Sequence, residues 1–112
     1  MLVNLRSQWA DAIDQELPLP EYPRPQLVRE QWVNLNGKWD ACVHSPEREP
    51  DFSASILVPF PLGSALSGFD HVLQPDEVLT MRTYFENPLS DGPERLRLHF
   101  GGVDWACEVW IN

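Results

Sequence analysis

The sequence predicts an all-β protein, a partial antiparallel β-sandwich of jelly-roll type with a short N-terminal helix. About five stretches read as strands, most by alternating apolar and polar residues, and turn residues rather than helical stretches separate them. Eleven prolines in 112 residues favour loops and short strands over long helices. Only the N-terminus carries apolar residues at helical spacing. The chain is the length of one domain. It divides into a lead-in, residues 1–20, made of the helix and a proline-rich stretch, and an incomplete β-sandwich domain, residues 21–112.

Leu2, Leu5, Trp9, Ala12 and Ile13 recur at steps of three and four, which stripes one side of a short helix over residues 2–13. Pro18 and Pro20 stop it. In residues 17–26, LPLPEYPRPQ, four prolines remove backbone donors and fix φ, so this stretch is an extended strap outside any central strand. Within residues 32–43, WVNLNGKWDACV, the Asn36-Gly37 dipeptide predicts a tight hairpin turn. Trp39, Ala41 and Val43 then alternate with Lys38, Asp40 and Cys42, which predicts a strand.

Residues 44–55 form a polar loop, and residues 55–60, SILVPF, a short apolar strand ended by Pro59 and Pro61. Rich in Gly, Ser, Asp and Pro, residues 62–77 show neither period and read as a long loop, where function often sits. Strand character returns in residues 78–87, VLTMRTYFEN, with Leu79, Met81, Thr83 and Phe85 on one face. Asp91-Gly92 turns the chain again. The last stretch, residues 94–112, reads ERLRLHFGGVDWACEVWIN. Leu96, Leu98 and Phe100 oppose Arg95, Arg97 and His99; after the Gly101-Gly102 turn, Cys107, Val109 and Ile111 oppose Glu108 and Trp110. A half-buried antiparallel pair is expected here, and its second strand running to the last residue suggests an incomplete domain.

Composition narrows the partners. The chain is 43% hydrophobic and holds five Trp, enough material for a core, so it does not read as disordered. Seventeen acidic against eight basic residues give a formal charge of −9, which repels phosphate backbones and anionic lipid. Nucleic acid and membrane are therefore not expected partners. Residues 1–20 hold Asp11, Asp14 and Glu16 and lack the uninterrupted apolar core of a signal peptide, so a cytoplasmic location is expected. Cys42 and Cys107 have no metal-site or disulfide-framework spacing and read as small buried thiols. A cross-strand disulfide between them depends on a distance the sequence does not give.

The residues offer no self-contained active site. Glycoside cleavage needs two carboxylates about 5 to 10 Å apart. Asp104 in the GGVD turn and Glu108 on the following strand are the only such pair near regular structure. A turn Asp commonly bonds its own backbone, though, and a strand Glu commonly faces solvent. His44, His71 and His99 are scattered without metal-ligand spacing, and Ser64 in PLGSALSG lacks the nucleophile-elbow pattern. No cofactor or metal is implied, and no catalytic residue is assigned. Trp32, Trp39, Trp105 and Trp110 can stack on sugar rings or fill a core. Trp39, sharing a face with Ala41 and Val43, reads as core, whereas Trp110 faces away from Val109 and Ile111.

Taken in order, EYPRPQLVR (21–29), WVNLNGKW (32–39), ILVPF (56–60), SALSG (64–68), RTYF (82–85) and LRLHFGGVDWACEVWIN (96–112) resemble the N-terminal sugar-binding domain of glycoside hydrolase family 2. That family comprises β-galactosidases, β-glucuronidases and β-mannosidases. The resemblance spans nearly everything from Glu21 onward. It implies a galactose-binding-like jelly-roll sandwich that precedes an immunoglobulin-like domain and a catalytic TIM barrel. The family's two catalytic glutamates lie on that barrel and have no counterpart here.

The function so implied is that of a non-catalytic N-terminal part of a family 2 glycoside hydrolase, supporting binding and hydrolysis of β-glycoside carbohydrate in the full-length enzyme and inactive alone. The alternative is a free-standing carbohydrate-binding or protein-interaction module. Asp70, His71 and Gln74, polar groups on the long loop, are the candidate carbohydrate contacts. Self-association through the C-terminal edge strand is a further expectation, because an unpaired edge recruits other chains.

Overall fold

The computed structural model describes residues 6–89 and 95–112. Its centre is β1, Gly37–His44, flanked by β2, Ala54–Val58, and β3, Val78–Arg82, in one antiparallel sheet of order β2-β1-β3. Helical structure among the described residues is confined to 3-10 turns at Ala10–Ala12, Pro25–Leu27 and Ala65–Ser67. The chain is thus mostly non-helical and β-rich.

The sheet is staggered, and the stagger places the core. β2 covers the first half of β1, from Gly37 opposite Val58 to Ala41 opposite Ala54. β3 covers the second half, from Asp40 opposite Arg82 to His44 opposite Val78. Only Asp40 and Ala41 have a partner on both sides, and Ala41 is 0% exposed. Alternation then sorts the side chains. Trp39 lies opposite Ile56, and Val43 opposite Leu79, on the face that carries Ala41. Burying Ile56 and Leu57, the large apolar residues of β2, contributes about 2 kcal/mol each. The Trp39 indole N–H donates to Leu35 O at 2.7 Å, which leaves its ring free to pack on this face.

On the opposite face a His–Thr contact ties β1 to β3. His44 Nδ1 lies 2.8 Å from Ser45 O, and because a carbonyl only accepts, Nδ1 carries the proton. In the neutral ring Nε2 then accepts from the Thr80 hydroxyl at 2.7 Å.

Asn36-Gly37 does not form the expected hairpin turn. Gly37 opens β1 at φ 129°, buried against the lead-in: a Cβ there would stand 2.8 Å from Glu16 O. The Asn36 side-chain amide donates to Pro18 O at 3.0 Å, and Pro18 itself is fully buried. Glycine is required for the close approach of the proline-rich strap. What looks in sequence like a turn signal is a docking point for residues 16–19.

Two further expectations are corrected. The N-terminal helix is reduced to the turn at Ala10–Ala12, held by bonds three residues apart, Ala10 N to Ser7 O and Ala12 N to Trp9 O. Trp9 is exposed and only Ala10 is buried, so the stripe has too little to pack on for helix propagation. The first residues of that stripe and the Asp91-Gly92 turn lie outside the described residues.

The second correction concerns residues 95–112, which form no strand and are exposed throughout. Trp105 and Trp110 are 91% and 86% exposed. Cys107 is likewise exposed, not buried, while Cys42 is buried, and both thiols are free. Self-association through this segment would start from residues that form no strand, not from a formed strand edge. The radius of gyration, 16.0 Å, exceeds the roughly 13 Å of a compact domain of this length. No helix among the described residues is long and apolar enough to cross a membrane.

Candidate functional site

The loop over residues 62–77 is built from two local devices. Ser64 caps the 3-10 turn Ala65–Ser67, its Oγ accepting from Ser67 N at 3.3 Å, and Gly68 ends the turn at φ 72°. Gly63 N donates to Phe69 O at 2.9 Å and closes the base. Further on, Pro75 sits at the second position of a turn in which Glu77 N donates to Gln74 O at 3.0 Å. The sequence reads as structureless because these bonds are short-range and produce no period.

His71 and Gln74 are brought together by Glu77, a residue the sequence reading passed over. Glu77 Oε2 lies 2.7 Å from His71 Nε2 and accepts from Gln74 N at 2.9 Å. The Gln74 side-chain amide donates to Val72 O at 2.8 Å. The His71 hydrogen bond first, then the Gln74 amide, holds the Glu77 carboxyl below its ordinary value. A carboxyl wanted as a general acid at neutral pH has to be moved the other way. Through these two contacts Glu77 acts as an acceptor that shapes the loop. The spacing of a Pro-led turn ending in Glu is the signal that could have found it.

Asp70 stands apart from this cluster. It is exposed and lines an open depression of about 460 Å³ with Arg6, Ser64, Ala65 and Gly68. A smaller hollow of about 180 Å³ continues from it along Ala10, Phe60 and Pro61. The rim offers a guanidinium, a hydroxyl and a carboxylate, groups that can bond sugar hydroxyls.

A second polar group lies on the sheet. Arg82 Nη2 and Nε both donate to Asp40 Oδ2, at 3.0 and 3.3 Å. Close by in sequence to the Phe52 ring that Arg82 covers, Asp51 is held below the ordinary carboxylate value, first by the Cys42 thiol and then by the Ser53 hydroxyl and amide at 2.8 and 3.1 Å. The thiol also points to Val43 O at 3.7 Å, so the Ser53 bonds are the firmer ones. Sequence reasoning missed this group because it depends on the β1–β3 register, which alternation alone does not set.

Among the described residues no group of three or more His, Cys, Asp or Glu side chains could hold a metal ion. The Trp32 indole packs edge-on to Tyr22, centroids 4.8 Å apart, and 5.5 Å from the His99 ring. Its Nε1 is buried without a hydrogen-bond partner among the described residues. No family model matches the chain, and no curated protein matches it.

Proposed function

We propose that this chain is the non-catalytic N-terminal sugar-binding part of a family 2 glycoside hydrolase, supporting binding and hydrolysis of β-glycosides by the whole enzyme in the cytoplasm. One observation carries the reading. Three of the motif stretches that resemble the family meet in a single sheet: WVNLNGKW supplies the start of β1, ILVPF most of β2, and RTYF begins at the last residue of β3. Motifs that are far apart in sequence and adjacent in space are what a shared fold requires. In this reading the sheet belongs to one layer of a jelly-roll sandwich in residues 21–112, to which residues 95–112 contribute no strand here, and residues 1–20 are its lead-in. The catalytic carboxylates, in this reading, belong to another domain.

The test has two parts. The purified chain should release no aryl alcohol from galactoside, glucuronide or mannoside substrates, and measured turnover would overturn the non-catalytic reading. The coding sequence beyond the Asn112 codon should continue in frame into a barrel with paired glutamates. A stop codon there would favour the free-standing binding or interaction module instead.

A further inference from the structure

The Asp40–Arg82 pair sits within an aromatic setting that the loop candidates lack. Arg82 Cζ lies 4.0 Å from the centroid of the Phe52 ring and 5.5 Å from that of Tyr84. Both distances are within cation–π range. Arg82 ends β3 opposite Asp40, and Tyr84 follows two residues later with its ring beside the guanidinium. Tyr84 is 78% exposed. Among the described residues, no hydrogen bond is made to Asp40 Oδ1 or from Arg82 Nη1. One accessible ring face thus stands beside one free acceptor and one free donor, and the ion pair fixes the relative position of both.

We infer that Tyr84, Arg82 and Asp40 form a binding platform for a neutral hexopyranose, the C–H face of the sugar on Tyr84 and two adjacent hydroxyls on Asp40 Oδ1 and Arg82 Nη1. Charge selects the ligand class. An anion gains little from Arg82, which Asp40 neutralises at 3.0 Å, and meets the Asp40 carboxylate as well. A cation is repelled by the guanidinium, which lies over the Phe52 ring at 4.0 Å and 5.5 Å from the Tyr84 centroid. A neutral polyol is penalised by neither and uses the free donor and acceptor together. The loop differs: Glu77 already engages His71 and Gln74.

This platform rests on the proposed carbohydrate role but not on the family, so the two can fail separately. The experiment is an NMR titration of the isotope-labelled full chain with methyl β-galactoside, β-glucoside and β-mannoside, with acetate and tetramethylammonium as charged probes. Expected are saturable shifts at Arg82 Nε–H and the Tyr84 ring in the millimolar range. Tyr84→Ala should weaken binding about tenfold and Tyr84→Phe should retain it. Tyr84 is exposed, so both variants should keep the amide spectrum of the sheet. Shifts confined to residues 70–74 would overturn the platform and leave a loop site. No sugar shift anywhere, or stronger binding of either charged probe, would also overturn it. Sugar binding at Tyr84 in a chain whose reading frame stops at Asn112 would uphold the platform and defeat the family reading.

Discussion

Residues 38–43 of β1, with the exception of Cys42, and residues 95–100 alternate apolar and polar side chains, yet only the first stretch becomes a strand. The difference lies in their partners. β2 pairs with the first half of β1 and β3 with the second, so every residue of β1 has a partner and Ala41 is sealed between Ala54 and Met81. Residues 95–100 have no paired neighbour among the described residues, and Leu96, Leu98 and Phe100 remain exposed. Alternation announces which side chains share a face, whereas pairing decides whether there is a strand.

The largest expected effect comes from placing the same charge in both stretches. Ala41→Glu puts a carboxylate at the sealed crossing and should cost about 3 kcal/mol or more, enough to lose the sheet signal in a denaturation curve. Leu98→Glu should change stability by less than about 0.5 kcal/mol. Equal costs would erase the distinction between the two regions. Gly37→Ala should come next, at about 1 to 3 kcal/mol, because it combines a positive φ with a Cβ 2.8 Å from Glu16 O. Thermal unfolding monitored at Trp39 would show it, and a neutral result would mean that the lead-in does not dock on β1.

Smaller effects probe the polar face of the sheet. Thr80→Val removes the hydroxyl that His44 Nε2 accepts and should cost about 1 kcal/mol in urea unfolding. Asp40→Asn breaks an ion pair whose side chains are both a little under half exposed, so about 0.2 to 1 kcal/mol is expected, shrinking in high salt.

The smallest effect is the pH response of the loop. Glu77 titrates below its ordinary value of 4.5, so its contribution is fully present above that pH and fades as pH falls through the lower folded value. The Gln74 amide resonance should follow that titration, and Glu77→Gln should abolish the movement. A Gln74 amide that ignores both would remove Glu77 as the organiser of the loop.

The sheet was the legible part. Alternation around Trp39, Ala41 and Val43, the apolar run ending at Pro59, and the Leu79–Met81 face each mark a strand that forms. What the sequence could not convey was contact between distant residues. Asn36-Gly37 carries a hairpin signal, but its glycine serves a close approach by Glu16, twenty-one positions away. His71 and Gln74 were legible as polar loop residues, while their convergence on Glu77 was not, because hydrogen bonds within a loop leave no periodic trace. Arg82 was visible only as part of RTYF. Its pairing with Asp40 and stacking on Phe52 follow from strand register, a long-range property.

Amide hydrogen exchange on the full chain tests the contrast most directly, since it reports pairing residue by residue. Amides bonded across the β2-β1-β3 sheet should be protected, most of all near Ala41, and those of residues 95–100 and 106–112 should exchange at nearly the rate of an unstructured peptide. Protection of residues 95–100 and 106–112 equal to that of β1 would contradict the account.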